Sequence, residues 1–242
     1  MTLDSPRAGR KPRWKLRRGR RLKSPSAGVV LQREGRPGVL DLQICVAASS
    51  NLPLLTPVAT GALSEAIRKD TGIISWLHWP DLVTIDDRAV GRVSVSPSPD
   101  GRAVVIQVLV NCSGRNSPAS NTDLASTSIR ACLGVEVDKN LLREKILEAI
   151  GWYSAEWERG VYSKLVARVQ PSIPWMGGNV KVKTREGAVF IGKAVALDES
   201  GSLVVEPAHG SEAPARVSVR DVESVLPVRQ LTQLKSTRRT LL

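Results

Sequence analysis

Histidine, cysteine and phenylalanine are nearly missing from this chain. Only His78 and His209 occur in 242 residues, so a histidine-built metal centre or a Ser-His-Asp triad has little material. Cys45, Cys112 and Cys132 are scattered, with no C-x-x-C pair. They read as small buried residues, not as metal ligands or a disulfide framework. With one Phe among 42% hydrophobic residues, a core must be filled by Val, Leu, Ile and Ala. No uninterrupted apolar run approaches the roughly 20 residues that span a bilayer. The basic N-terminus also lacks the apolar stretch of a secretory signal. These absences lead us to expect a cytoplasmic protein with no membrane association. The length suits one sizeable core and a small second domain.

What the chain has in excess is positive charge. The formal net charge is +12, concentrated in residues 7–23 (RAGRKPRWKLRRGRRLK) and in Lys235, Arg238 and Arg239 of the tail. Such a run repels itself. Against nucleic acid or nucleotide phosphates it binds strongly, and salt weakens it. A solvated arm without a specific partner is the plainer alternative.

Hydrophobic periodicity and turn residues divide the rest. Strands are expected at 27–32, 40–48, 73–79, 83–85, 90–95 and 103–110, with Ser96–Gly101 as a turn. Thr56-Pro57 reads as a helix start, with Leu55, Val58, Ala59, Ala62, Leu63, Ala66 and Ile67 at helical spacing and Gly72 just past the end. A short helix is expected at 124–133. A longer one is capped by Asp138, its stripe of Leu142, Ile146, Ile150, Tyr153 and Trp157 facing a core. After the linker Gln170–Pro174, the segments NVKVKT, AVFIGKAVALD, SLVVEPA and ARVSVRDVESV have the short, evenly spaced strands of a small closed β-barrel.

The most informative stretch is 75–93, SWLHWPDLVTIDDRAVGRV. Pro80 cannot donate to a strand ladder and ends the strand before it. Trp79 and Asp81 therefore stand at a corner, where binding groups are often placed. Trp-Pro alone is equally what a tryptophan plugging a hairpin looks like. In its wider frame, His78-Trp79-Pro80-Asp81-Leu82, Val83, Ile85, Asp86-Asp87-Arg88 and Ala89-Val90-Gly91-Arg92, the stretch resembles the signature of the biotin protein ligase (biotin/lipoate ligase) family. That signature reads Lys-Trp-Pro-Asn-Asp, apolar residues, a turn and a Lys-x-x-Gly strand. DSPRAGR at 4–10 and Leu22-Lys23-Ser24-Pro25 are similar to the flanks of the family's Gly-Arg loop. Phe190-Ile191-Gly192-Lys193-Ala194, Leu197-Asp198 and Gly201-Ser202-Leu203 are similar to its C-terminal SH3-like barrel.

The resemblance implies an α+β fold: a mixed sheet with helices packed on it in a ligase-like catalytic domain, residues 1–170 with the basic arm at 7–23. A small SH3-like β-barrel at 171–227 and a basic tail at 228–242 follow. It implies ATP-dependent formation of biotinyl-AMP, with Mg²⁺, and transfer of biotin to a lysine of a biotin carboxyl carrier domain. Lipoate or octanoate in place of biotin stays open. Arg10, Arg17 and Arg20 are the loop's phosphate-binding candidates, and Arg17 and His78 are the catalytic candidates. Trp79, Asp81 and Asn111 are the remaining binding candidates, with Asp81 also supporting the metal. Departures accompany the match. His78 replaces the lysine before Trp-Pro, Ala89 stands at the second-strand lysine, and the Gly-x-Gly-x-Asn strand reads Gln107-Val108-Leu109-Val110-Asn111. Few loop glycines remain, and no Ser-Thr-Asn segment precedes the loop, so we expect a shortened N-terminus or a misassigned start. Activity is accordingly expected to be weak or lost. The alternatives are a non-catalytic binding or interaction protein on the ligase fold, or nucleic-acid binding through residues 7–23. A homodimer is also open.

Overall fold

In the computed structural model, residues 14–19, 27–33, 37–114, 124–208 and 213–228 are described. A seven-stranded sheet is built from β1 (Lys15–Gly19), β2 (Val29–Arg33), β3 (Val39–Ala47), β4 (Trp76–His78), β5 (Leu82–Ile85), β6 (Arg88–Pro97) and β7 (Ala103–Asn111). Its order is β1-β2-β3-β7-β6-β5-β4. Only β1 and β2 run parallel, and the other pairs are antiparallel. Helices α1 (Leu52–Thr71), α2 (Ile129–Leu133), α3 (Lys139–Glu158) and α4 (Tyr162–Val169) complete an α+β unit. The alternation of the strands puts Leu40, Leu42, Ile44, Ile106, Val108 and Val110 on one face. There they form one core with Val58, Leu63 and Ile67 of α1 and Ile146 and Ile150 of α3. None of the helices among the described residues is long and apolar enough to cross a membrane.

The expected α3 stripe is buried throughout, and the Asp138 side chain accepts from the N–H groups of Asn140 and Leu141. Elsewhere tertiary packing moves the boundaries. Helix α1 starts a turn before Thr56-Pro57, with Pro53 in its first turn and Pro57 inside it. Burial of Leu54 and Leu55 favours that extra turn over the local start signal. Strand β4 is short because Ser75 is tied to α1, the Ser64 hydroxyl donating to its carbonyl at 2.9 Å. Residues 125–127 do not extend α2. They bond along β6, Ala89 N–H donating to Ala125 O and Thr127 N–H to Ala89 O.

The second sheet contains β8 (Asn179–Thr184), β9 (Val189–Leu197), β10 (Leu203–Pro207), β11 (Ala215–Val217) and β12 (Val222–Pro227). The order β11-β10-β9-β8-β12 leaves it open at both ends among the described residues. The closure that the strand spacing suggests is therefore not made by pairing. The last expected strand is broken into β11 and β12 by a turn in which Asp221 N–H returns to Ser218 O. One carbonyl of the terminal strand β12, that of Val225, is taken by His78 of the first sheet.

Close approach of β10 fixes one glycine in this sheet. A Cβ on Gly192 would sit 2.6 Å from Val205 Cγ1 and collide with the Glu206 carbonyl. Gly192→Ala is expected to cost about 2 kcal/mol or more through overpacking, measured by urea unfolding. A loss within error would mean that β9 and β10 separate more readily than the packing implies.

Candidate functional site

The Trp79–Pro80 corner lies where the two sheets meet. Its peptide bond is cis. Trp79 is 1% exposed, and its indole N–H donates to Gly201 O at 3.1 Å. His78 Nε2 lies 2.8 Å from Val225 O. A carbonyl oxygen only accepts, so this nitrogen carries the proton. The Trp175 ring stands edge-on to the imidazole at 6.0 Å between centroids. Burial pushes the His78 imidazole down to about 4, so at neutral pH it is uncharged. Its one donor is spent on backbone.

Asp81 follows Pro80 and faces Arg92, whose Nε is 3.2 Å from its Oδ2. Burial raises the Asp81 carboxyl against the opposing pull of Arg92. The space between the corner and β12 is a cleft of about 110 Å³ lined by His78, Trp79, Asp81, Arg92, Leu124 and residues 223–226, among others. Ligand pockets commonly enclose about 300–1,000 Å³. This one is small on that scale, about the size of an anionic head group.

Registers show which side chains share a face. His78 pairs with Leu82, Leu82 with Arg92, Arg92 with Leu109, Leu109 with Asp41 and Asp41 with Arg33. Directly opposed residues lie on one side of a sheet, so these form a single cross-strand row facing away from the helices. The next row runs Ser94, Gln107, Gln43, Leu31, Arg17. Gln107 and Leu109, at the positions where the family signature has glycine, therefore place side chains on this face. Gln107 Nε2 donates to Asp41 Oδ1 at 3.3 Å.

His78, Trp79 and Asp81 are thus brought together. Arg17 shares the face but lies on β1, at the edge of the sheet opposite β4. At about 4.8 Å per strand, roughly 29 Å of sheet separates β1 from β4, so the sheet alone does not bring Arg17 and His78 together. Arg10 and Arg20 lie outside the described residues, as do most of the basic run and His209. Asn111 is buried away from the cleft, with both ends of its amide engaged. Its Nδ2 donates to Thr127 O at 2.9 Å and its Oδ1 accepts from Gly114 N–H at 2.8 Å. It fastens the strand end and the 125–127 segment.

Ala89 is fully buried and packs with Leu82 and Leu124. A Cβ on Gly91 would come to 3.0 Å from Leu109 O, so the pairing of β6 with β7 favours glycine there. Arg88, three residues before it, is exposed at the start of β6. Nothing in the sequence marks Arg92 or β12 as part of this corner. The register shift between Val83 and Thr84 breaks simple alternation, and nothing local announces that β12 would return to this corner.

Neither a protein-family model nor a curated protein matches the sequence. Solved structures do match the fold. A mutant biotin protein ligase from Aquifex aeolicus in complex with biotin aligns with a TM-score of 0.73 and 19% identity, over 88% of this chain and 98% of that one. The fold is biotin protein ligase-like. The Aquifex aeolicus ligase in complex with biotin and ATP aligns at 0.68 with 20% identity, over 84% and 91% of the two chains. A biotin protein ligase-like protein of unknown function from a Silicibacter species aligns at 0.68 with 15% identity, over 86% and 96%.

On this ligase-like fold, the Mg²⁺ expected to arrive with ATP meets one candidate carboxylate at the corner, Asp81. No group of three His, Cys, Asp or Glu side chains is placed for a metal among the described residues. Asp81 is a single carboxylate beside Arg92, and Mg²⁺ is commonly held by one or two carboxylates together with substrate phosphates.

Proposed function

We propose that the chain is a biotin protein ligase homologue whose adenylating step is weak or lost. In this reading residues 1–170 are the ligase domain, 171–227 a small SH3-like barrel module and 228–242 a basic tail. The full reaction joins the biotin carboxylate to the α-phosphate of ATP, releasing pyrophosphate. A carrier-domain lysine then attacks the mixed anhydride and AMP leaves.

The observation that carries the reading is the state of the corner. It stands on the strand face of a fold shared along nearly its whole length with a ligase that binds biotin and ATP, yet the side chain before Trp79 is a neutral imidazole bonded to Val225 O. Catalysis of acyl-adenylate formation needs fixed donors for charge that develops in the transition state, and losing one typically costs about 10²–10³ in rate. His78 orients β12 against the first sheet and has no second N–H to give. The small cleft and the side chains of Gln107 and Leu109 favour a second reading, a ligase-fold binding protein without turnover.

The test is to incubate the full chain with ATP, Mg²⁺ and labelled biotin, and to follow bound adenylate and pyrophosphate release beside separate calorimetry with biotin and with ATP. We expect ligand binding with slow or absent adenylate formation, and faster formation in His78→Lys. Binding without adenylate in either protein supports the second reading. Binding of neither ligand removes both.

A further inference from the structure

We propose that Arg92 is an oxyanion-binding residue, supplying from β6 the positive charge that position 78 lacks. It rests on the ligase-fold reading only for which anion arrives there; the site itself follows from geometry. His78, Leu82 and Arg92 are consecutive members of one cross-strand row, so Arg92 faces the same side as the imidazole, two strands away. Both line the cleft.

The guanidinium is only partly committed. Its Nε approaches Asp81 Oδ2 at 3.2 Å but is buried without a satisfied hydrogen bond, the alignment of the pair being poor. Its terminal nitrogens have no hydrogen-bond partner among the described residues. An arginine offers five donors in a planar fork matched to two oxygens of a carboxylate or phosphate. The other acidic group at the cleft, Glu223, is held by Lys183 Nζ at 2.6 Å, which leaves Asp81 as the competitor an incoming oxyanion must displace. Burial already makes the charged form of Asp81 costly, so exchanging it for a ligand oxyanion loses little. The cleft admits a head group of that size.

The test uses the full chain labelled with ¹⁵N-arginine, the Arg92 Nε–H resonance being assigned by its loss in Arg92→Gln. Sodium pyrophosphate is titrated as the phosphoryl anion and sodium hexanoate as the carboxylate. We expect a saturable shift of that resonance with at least one of them. By calorimetry, Arg92→Gln should bind that anion about tenfold or more weakly, Arg92→Lys should be intermediate, and Asp81→Asn should bind more tightly. An Arg92 signal that neither anion moves, or equal affinity in wild type and Arg92→Gln, overturns the proposal. Should Arg92→Gln fail to fold, the signal shift and the Arg92→Lys and Asp81→Asn affinities decide it. The ligase reading stands or falls separately. Pyrophosphate binding through Arg92 without biotin binding keeps this site and drops the ligase. Measurable adenylate formation by the wild type that Arg92→Gln leaves unchanged does the reverse.

Discussion

Trp79→Ala is expected to lower the unfolding free energy by about 3–5 kcal/mol, the range for deleting a buried aromatic side chain. The residue is among the largest fully buried side chains in the protein and belongs to the core shared by both sheets. Truncation leaves a cavity at that junction and strands the Gly201 carbonyl that the indole N–H had satisfied. The two losses separate in Trp79→Phe, which keeps most of the volume and gives up the hydrogen bond, for about 1 kcal/mol plus residual packing. Denaturant unfolding measures both. A loss under about 1 kcal/mol for Trp79→Ala would mean that the corner is not part of the common core. A loss in the expected range would make the tryptophan structural first, as the hairpin-plug reading has it, and leave any chemistry at the corner to its neighbours.

Several of these relations were visible in the sequence because they are local. Asp138 marked the α3 start, the turn at Asp86-Asp87 has the positive φ at both residues that a tight hairpin demands, and Pro80 ended β4. The order of strands and helices, with its likeness to a ligase, followed from such marks. What escaped was set by distant segments. Helix α1 begins early because Leu54 and Leu55 find a core. The segment before β4 is claimed by Ser64. The open end of the second sheet turns on β12 meeting His78, a contact across 147 residues. The same contact changes the meaning of the candidate site. From sequence, His78 is a substitute for a catalytic lysine. In the fold it is a hydrogen-bond donor to backbone, and the arginine sharing its cleft is Arg92, paired through Nε with Asp81, whose place depends on a register shift that no local pattern announces.

His78 should also make stability depend on pH. Its imidazole sits at about 4 in the folded protein against 6.5 for the ordinary group, chiefly because burial disfavours the charged ring. Below 6.5 the unfolded chain takes up a proton that the folded chain refuses. The His78 contribution is therefore fully present above about pH 6.5, is lost as pH falls through the interval down to about 4, and levels off below it. That gap corresponds to about 3 kcal/mol at most. Other groups titrate nearby with both signs. Asp81, raised by burial, gains relative stability as pH falls, whereas Glu65, lowered by its bonds with Lys69, Arg168 and Tyr153, loses it. The comparison that isolates the histidine is His78→Gln, which keeps an N–H able to reach Val225 O and has no proton to gain. Wild-type stability, measured by urea unfolding from pH 7.5 to 4, should decline more steeply than that of His78→Gln, the two curves diverging by up to about 3 kcal/mol. Parallel curves would show that the imidazole is solvated enough to charge. In that case it is available, after all, to act as a cation beside Trp79.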